Sequence, residues 1–401
     1  MSEIITQGIP PQYKLINDSR EVTVEIITPV HVGAASEKLM RKGTDYFHMN
    51  DTLYFVEFNK LLKAALDKGV RMDTISNLLA EGKINELQTY LFKTLKIDID
   101  ELSYNIIEDF SHDPGGEIRP LIQTGLGVPY IPGSSIKGAL RSVLFNYLND
   151  IIDNKTINEW VFDKELNRKV EKERDIRDNE LENFLLGKFD QSVMRYIRIF
   201  DAFFGFEDTG IFDIYLFNLY RKGSKWESDW KEKFKIVAEC FYPSTTSTFR
   251  LSLAKPLADI INNKYHKSTQ LPKHLSDVLP QNPFEHLFKI INNYTRTHLQ
   301  REIDFFKNYD EAPDTDLIIE KLEGLMQYTE GSKTCLLRMA YGSGFHGITG
   351  DWRFKNHQTT INQPDEKNLV WNQTERRRMP AHYKSRRVVG EDLMGFIKLS
   401  F

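Results

Sequence analysis

Cysteine is scarce. The 401-residue chain has only Cys240 and Cys335. That excludes a disulfide-stapled scaffold and any zinc site of ordinary cysteine spacing. Long apolar runs are missing too, since no stretch approaches the roughly 20 residues that a membrane-spanning helix needs. The opening "MSEIITQGIPPQYK" lacks the basic-then-apolar order of a secretory leader. A soluble, cytoplasmic protein is expected. There is also little excess of one charge. A formal net charge of −4 argues against a protein that coats nucleic acid indiscriminately, yet leaves room for a local basic site. Apolar side chains are plentiful. With 40% hydrophobic and 12% aromatic residues, the chain can build a packed core in two ordinary domains, or in one with large insertions.

The charge is unevenly spread. From Trp371 to Phe401 there are seven Lys or Arg (Arg376, Arg377, Arg378, Lys384, Arg386, Arg387, Lys398) against three acids. "TERRRMPAHYKSRRVV" interleaves these cations with His382 and Tyr383. Arginine forks suit phosphates, and Tyr or Arg planes stack on unpaired bases. A solvated basic loop is the plainer account of the same residues.

Alternation at Val22, Val24 and Ile26 predicts a first strand, ended by Pro29 and Gly33. Residues 71–110 read as helical, and the densely charged 163–188 as a solvent-facing helix. "RYIRIFDAFFG" and "IFDIYLFNLYR" read as strands, as do two segments around Pro243 and Ser244. "PFEHLFKIINNYTRTHLQREIDFFKN" and "DTDLIIEKLEGLMQYT" are helices, and "MGFIKLS" closes the chain as a strand. The order fits an α+β fold of two ferredoxin-like (RRM-like) modules with helical insertions. The expected division is 1–205 and 206–401, with a helical insertion at about 255–330 and a basic C-terminal segment.

"VPYIPGSSIKGALRS" (Val128–Ser142) is the most informative stretch. Pro132 and Gly133 make a turn, and Ser134 or Ser135 is a good N-cap. Ile136, Leu140, Val143, Leu144, Tyr147 and Leu148 then mark one apolar face. Lys137 and Arg141 form an i, i+4 pair that no nearby acid in sequence neutralises. Free N–H groups, hydroxyls and two cations favour an anion, most naturally a phosphate. The alternative is an ordinary capped helix with two solvated cations.

"GSGFHG" (Gly342–Gly347) formally matches Gly-x-Gly-x-x-Gly, but "ITGDWRFKN" after it is no convincing helix, so a dinucleotide site is not expected. Gly342 and Gly344 would still let an RNA backbone approach, with Arg338 and His346 beside them. His31 is a candidate RNA contact, or a contact to the loop that holds RNA. Asp45 and Asp51 are explained by turn chemistry. No Ser–His–Asp order, zinc ligand set or paired-carboxylate motif stands out, and no cofactor or metal is expected.

Five segments in order carry a resemblance. "ITPVHVGA", "IPGSSIKGALRS", "RIFDAFF", "CLLRMAYGSGFHG" and "MGFIKLSF" resemble, in turn, motifs of the RAMP superfamily of CRISPR-associated proteins. Order, length and ending are most similar to the branch that caps the guide-RNA 3′ end in type III-A effector complexes. The glycine run is thinner than usual, and Phe396 stands where tryptophan is common. The resemblance implies a non-catalytic subunit that binds guide RNA (crRNA) at its 3′ region and contributes to crRNA maturation and antiviral defence. Its implied partners are the repeated backbone RAMP subunit, a small helical subunit and trimming nucleases. It implies a structural role for Asp201. The expected RNA-contacting set is His31, Gly33, Gly133, Ser134, Ser135, Lys137, Arg141, Arg338, Gly342, Gly344, His346, Arg376, Arg377, Arg378, Lys384, Arg386 and Arg387. Three other readings stay open: an endoribonuclease using His31 or His346, a different type III backbone or 5′-handle subunit, and a scaffold that binds only proteins.

Overall fold

The computed structural model describes residues 16–34, 39–111, 114–153, 155–163, 168–176, 178–188, 192–222, 225–230, 234–255, 272–280, 282–307, 315–344, 369–372, 377–380 and 385–401. His346, Arg376 and Lys384 lie outside these residues.

Alternation makes the first strand, β1 (Ile16–Ile26): Val22, Val24 and Ile26 are fully buried while Glu21 is exposed. Asn50 and Asp51, both at positive φ, close a two-residue turn between β2 (Tyr46–Met49) and β3 (Thr52–Val56). The Asp45 carboxylate accepts the Arg41 N–H at 2.9 Å. Both aspartates therefore do turn chemistry. Helices α1 (Phe58–Asp67), α2 (Met72–Ala80) and α3 (Ile84–Gln88) follow. The helical reading of 71–110 fails at its end, where Ser103–Asp109 is a strand, β4, with Asn105 and Ile107 buried and Ile106 and Glu108 exposed.

After β5 (Tyr130–Ile131) comes α4 (Gly133–Ile151), with Ile136, Leu140, Val143, Leu144 and Leu148 buried at the expected spacing. The charged stretch 163–188 is not one helix. It holds the end of a hairpin, β6 (Thr156–Asp163) and β7 (Arg168–Asp175), and then a short helix, α5 (Asp178–Leu186). Opposite charges there pair across strands, as Arg174 does with Glu159, so charge alternation alone did not separate helix from hairpin.

Next come β8 (Ile197–Ile199), β9 (Ala202–Phe203), β10 (Thr209–Lys222), β11 (Lys225–Trp230), β12 (Ile236–Phe241) and β13 (Thr246–Lys255). The turn between the last two uses Ser244 at φ 73°. Helices α6 (Pro283–Lys307) and α7 (Thr315–Leu325) precede β14 (Thr334–Arg338). The described chain then holds β15 (Leu369–Asn372), β16 (Arg377–Pro380), β17 (Ser385–Val389), β18 (Asp392–Leu393) and β19 (Phe396–Ser400).

Two large sheets result. The first is antiparallel in the order β8-β13-β1-β19-β14. The second runs β18-β17-β10-β4-β3-β2, with β11 and β12 also paired to the long β10. Both draw strands from either side of residue 205, since β1 lies between β13 and β19 in the first and β4 pairs with β10 in the second. Helices α4 and α6 bury one face of the first sheet in the largest hydrophobic cluster. Asn292 of α6 also closes the edge of β14, its side chain bonding Thr334 O at 2.9 Å and the Leu336 N–H at 3.1 Å. An edge strand covered this way is withheld from pairing with another chain. The chain is thus a mixed helix-and-sheet protein, and no described helix is long and apolar enough to cross a membrane.

Candidate nucleic-acid interface

Two sets of cations meet glycine-bearing turns. The first lies at the start of α4. Gly133 begins the helix because a Cβ there would stand 2.3 Å from the Ile199 carbonyl oxygen; only glycine lets the helix end press onto β8. The cap differs from expectation. Pro132 is the N-cap residue, and Ser134 and Ser135 make no side-chain cap bond. The Gly133 N–H donates instead to the Asp201 carboxylate at 2.8 Å. A long-range acid thus takes one of the free donors and offsets the positive helix end. The cations change as well. Arg141 is ion-paired with Glu182 of α5, so it is not the unneutralised charge expected. Lys137 lies beside Arg198 of β8, and burial and that neighbour both lower its pKa. Arg198 and Arg250 are exposed near this helix end, where Phe200 N–H bonds Arg250 O at 3.1 Å. Sequence reasoning passed over both, although Arg198 sits between Ile197 and Ile199 in a strand whose alternation turns it outward.

The second set surrounds the glycine turn after β14. Ala340, Gly342 and Gly344 all have positive φ (64°, 82° and 74°). Alternation of left-handed and ordinary residues converges backbone N–H groups into an anion-binding concavity. Tyr341 sits in that turn, half-buried, with Arg119 5.9 Å and Arg387 6.0 Å from its ring centre. An aromatic ring beside two guanidinium groups brings a stacking surface and phosphate partners together. Neither Arg119 nor Tyr341 was expected, because Arg119 is distant in sequence and lies in the turn-rich "SHDPGGEIRP".

His31 lies beneath this turn. It is 3% exposed, its Nδ1 donates to Glu239 O at 2.7 Å, and its ring meets Tyr341 edge-on at 5.7 Å. Burial above all, and Arg119 after it, lower its pKa against that hydrogen bond, which leaves the imidazole neutral at physiological pH. The Tyr341 N–H also bonds His31 O at 3.1 Å. His31 therefore holds the loop, and its buried ring is no surface contact. Gly33 bridges to Leu121 on the neighbouring segment.

Two expected contacts are corrected. Arg338 and Arg386 are each 5% exposed and converge on the buried Glu302 of α6. Arg338 donates to Met394 O and to Gly342 O, both at 3.0 Å, and its Nη1 donates to His298 Nε2 at 3.0 Å. The Arg386 guanidinium lies over the Phe305 ring at 3.9 Å. Burial would raise the Glu302 pKa, but Arg386, His298 and Arg338 together bring it down to about 2. Arg338 itself falls to about 10, lowered by burial against the pull of Glu302. Arg338 positions the glycine turn from inside. Arg377 and Arg378 lie on β16, where they pair with Asn372 and Trp371 of β15.

The chain matches the family model described as the RAMP superfamily over residues 23–354. The chain belongs to the RAMP superfamily. Among curated proteins it resembles the CRISPR system protein Csm5 of Methanocaldococcus jannaschii, 24% identical over 86% of this chain and 73% of that protein. The same protein of Streptococcus thermophilus is 27% identical over 36% of this chain, a match that spans 43% of that relative. Two solved structures share the fold. One is a chain of a type III-A Csm–crRNA–target RNA ternary complex, with TM-score 0.65 and 16% identity over 95% of this chain and 100% of that one. The other is the crystal structure of T. onnurineus Csm5, with TM-score 0.58 and 17% identity over 94% and 99%.

Proposed function

We propose that this RAMP protein is a crRNA-binding subunit of a type III-A Csm interference complex, seated at the 3′ end of the guide. The observation that carries the reading is the Ala340–Gly344 turn, with its alternating positive φ and with Arg119 and Arg387 both near the Tyr341 ring. The Csm5 relatives, matched across most of the chain, support the choice of complex and of subunit. Backbone donors and arginines read phosphates, and a ring reads any base, so binding is largely independent of sequence and weakens with salt. Backbone RAMP subunits and a small helical subunit are its neighbours. It assists crRNA maturation by admitting or limiting trimming nucleases.

The fold agrees with one module of the proposed ferredoxin-like type. β1, α4, β8, β13, α6 and β19 follow the β-α-β-β-α-β order, and their strands lie as β19-β1-β13-β8. That module takes elements from both sides of residue 205.

The role is non-catalytic. The endoribonuclease reading relied in part on His31, whose ring is buried and bonded where it cannot meet a scissile phosphate.

The test is protein–RNA crosslinking of the assembled complex, with sequencing of the joined RNA. The expected result is Tyr341 joined to the last guide nucleotides. Crosslinks confined to the 5′ handle, or guide cleavage by the purified chain alone, sink the proposal.

A further inference from the structure

The second sheet carries an exposed aromatic strip that the RNA interface does not use. On β4, Ile106 is 47% exposed, and Phe110 just past the strand is 48% exposed. The Phe110 ring lies flat, stacked on Phe212 at 5.1 Å and 17°, and meets Tyr242 at 6.1 Å. Gly210 makes this possible, for a Cβ there would stand 2.7 Å from the Phe110 ring. Tyr242 is anchored in turn, its hydroxyl donating to the Glu207 carbonyl. Large apolar groups held in place and open to water mark a docking surface more often than chance exposure.

Acids flank the Phe110 and Tyr242 end of the strip. Glu108 is exposed between Ile106 and Phe110, and Glu207 and Asp208 act on the Tyr242 hydroxyl along with Glu108. Carboxylates in that position repel a phosphate backbone and attract guanidinium or ammonium groups. The faces of Phe and Tyr rings attract the same cations. At that end, charge complementarity favours a basic protein segment over RNA.

We infer that the strip formed by Ile106, Phe110, Phe212 and Tyr242 docks an arginine- or lysine-bearing segment of another protein, its cations drawn to Glu108, Glu207 and Asp208. The inference does not rest on the RNA reading, because the strip is defined by its own geometry.

The test uses the full chain in the particle it assembles into, purified through a tag on this chain. Zero-length carboxylate–amine crosslinking is expected to join Glu108, Glu207 or Asp208 to a lysine of one neighbouring protein. Glu108→Lys combined with Glu207→Lys should lower the yield of that neighbour at least ten-fold with RNA content unchanged. Phe110→Leu, which keeps apolar area and loses the ring, should give a smaller loss at an unchanged melting temperature. The inference is overturned if both variants retain every neighbour. It is overturned equally if RNA is lost while proteins stay, if Phe110 crosslinks to RNA under ultraviolet light, or if the acids crosslink only within this chain or to a second copy of it.

Discussion

Glu302 is the residue on which the interior most depends. It is 2% exposed and faces Arg338 and Arg386, so Glu302→Gln would leave two buried guanidinium groups short of their counter-charge. Removing one partner of a buried network costs about 3–5 kcal/mol. A folded pKa near 2, below the ordinary carboxylate value, means that this contribution is fully present above about pH 4.5. It is lost as the pH falls toward 2. Urea titrations should therefore show a large gap between wild type and Glu302→Gln at pH 7 that narrows through that window. Glu239 behaves oppositely. It is 2% exposed, and burial lifts its pKa to about 6 against the pull of its hydrogen bonds. The folded state then holds its proton more tightly than the unfolded one, so stability falls as pH rises from about 4.5 to 6. Glu239→Gln keeps an acceptor for the Leu121 N–H and should stabilise the protein by about 2 kcal/mol at pH 7.5, an advantage that fades below pH 4.5. Neither glutamate was legible in the sequence. Arg338 and Arg386 read as surface cations because the acid that buries them lies on a distant helix.

At the scale of elements, the α4 helix was legible and its cap was not. The apolar spacing of Ile136 through Leu148 fixed the buried face, since that pattern is local. The acceptor that satisfies the helix's first N–H comes from Asp201, a contact no local rule foresees. Gly133→Ala pushes a methyl into the Ile199 carbonyl and should destabilise the protein by about 1–3 kcal/mol, measured by thermal unfolding. The glycine turn was likewise visible in "YGSGFHG", and Arg387 was expected as an RNA contact, whereas Arg119 was not, since it reaches the turn from a distant part of the chain. Tyr341→Ala should cost about 1–3 kcal/mol of RNA affinity, as loss of one stacked base does. Arg119→Ala should instead lower the slope of log affinity against log salt by about one unit. Equal slopes for wild type and Arg119→Ala in a filter-binding series would remove Arg119 from the phosphate contacts.

At the scale of the molecule, the strands were mostly legible and their pairing was not. Alternation marks β1 and β19 separately, but nothing local says that they lie side by side. β19 is held on both flanks, by β1 and by β14. Deleting Phe396–Phe401 would remove the strand that joins β1 to β14 and open the first sheet between them. We expect such a truncation to lose its cooperative melting transition in circular dichroism, whereas deleting the peripheral Thr156–Asp175 hairpin would leave the transition within a few degrees of wild type.

The pairing of Ile26 with Ile397 also sets a schedule for synthesis. A ribosome releases β1 well before β19, so the strand that completes its hydrogen bonding emerges only after every element between the two has been translated. Until then Val22, Val24 and Ile26 lack at least one neighbouring strand, and before β13 emerges they lack both. Topologies of such high contact order fold slowly and expose strand edges meanwhile. A stalled or prematurely terminated nascent chain therefore lacks the means to seal its core, which makes it a natural client of ribosome-associated chaperones and proteases.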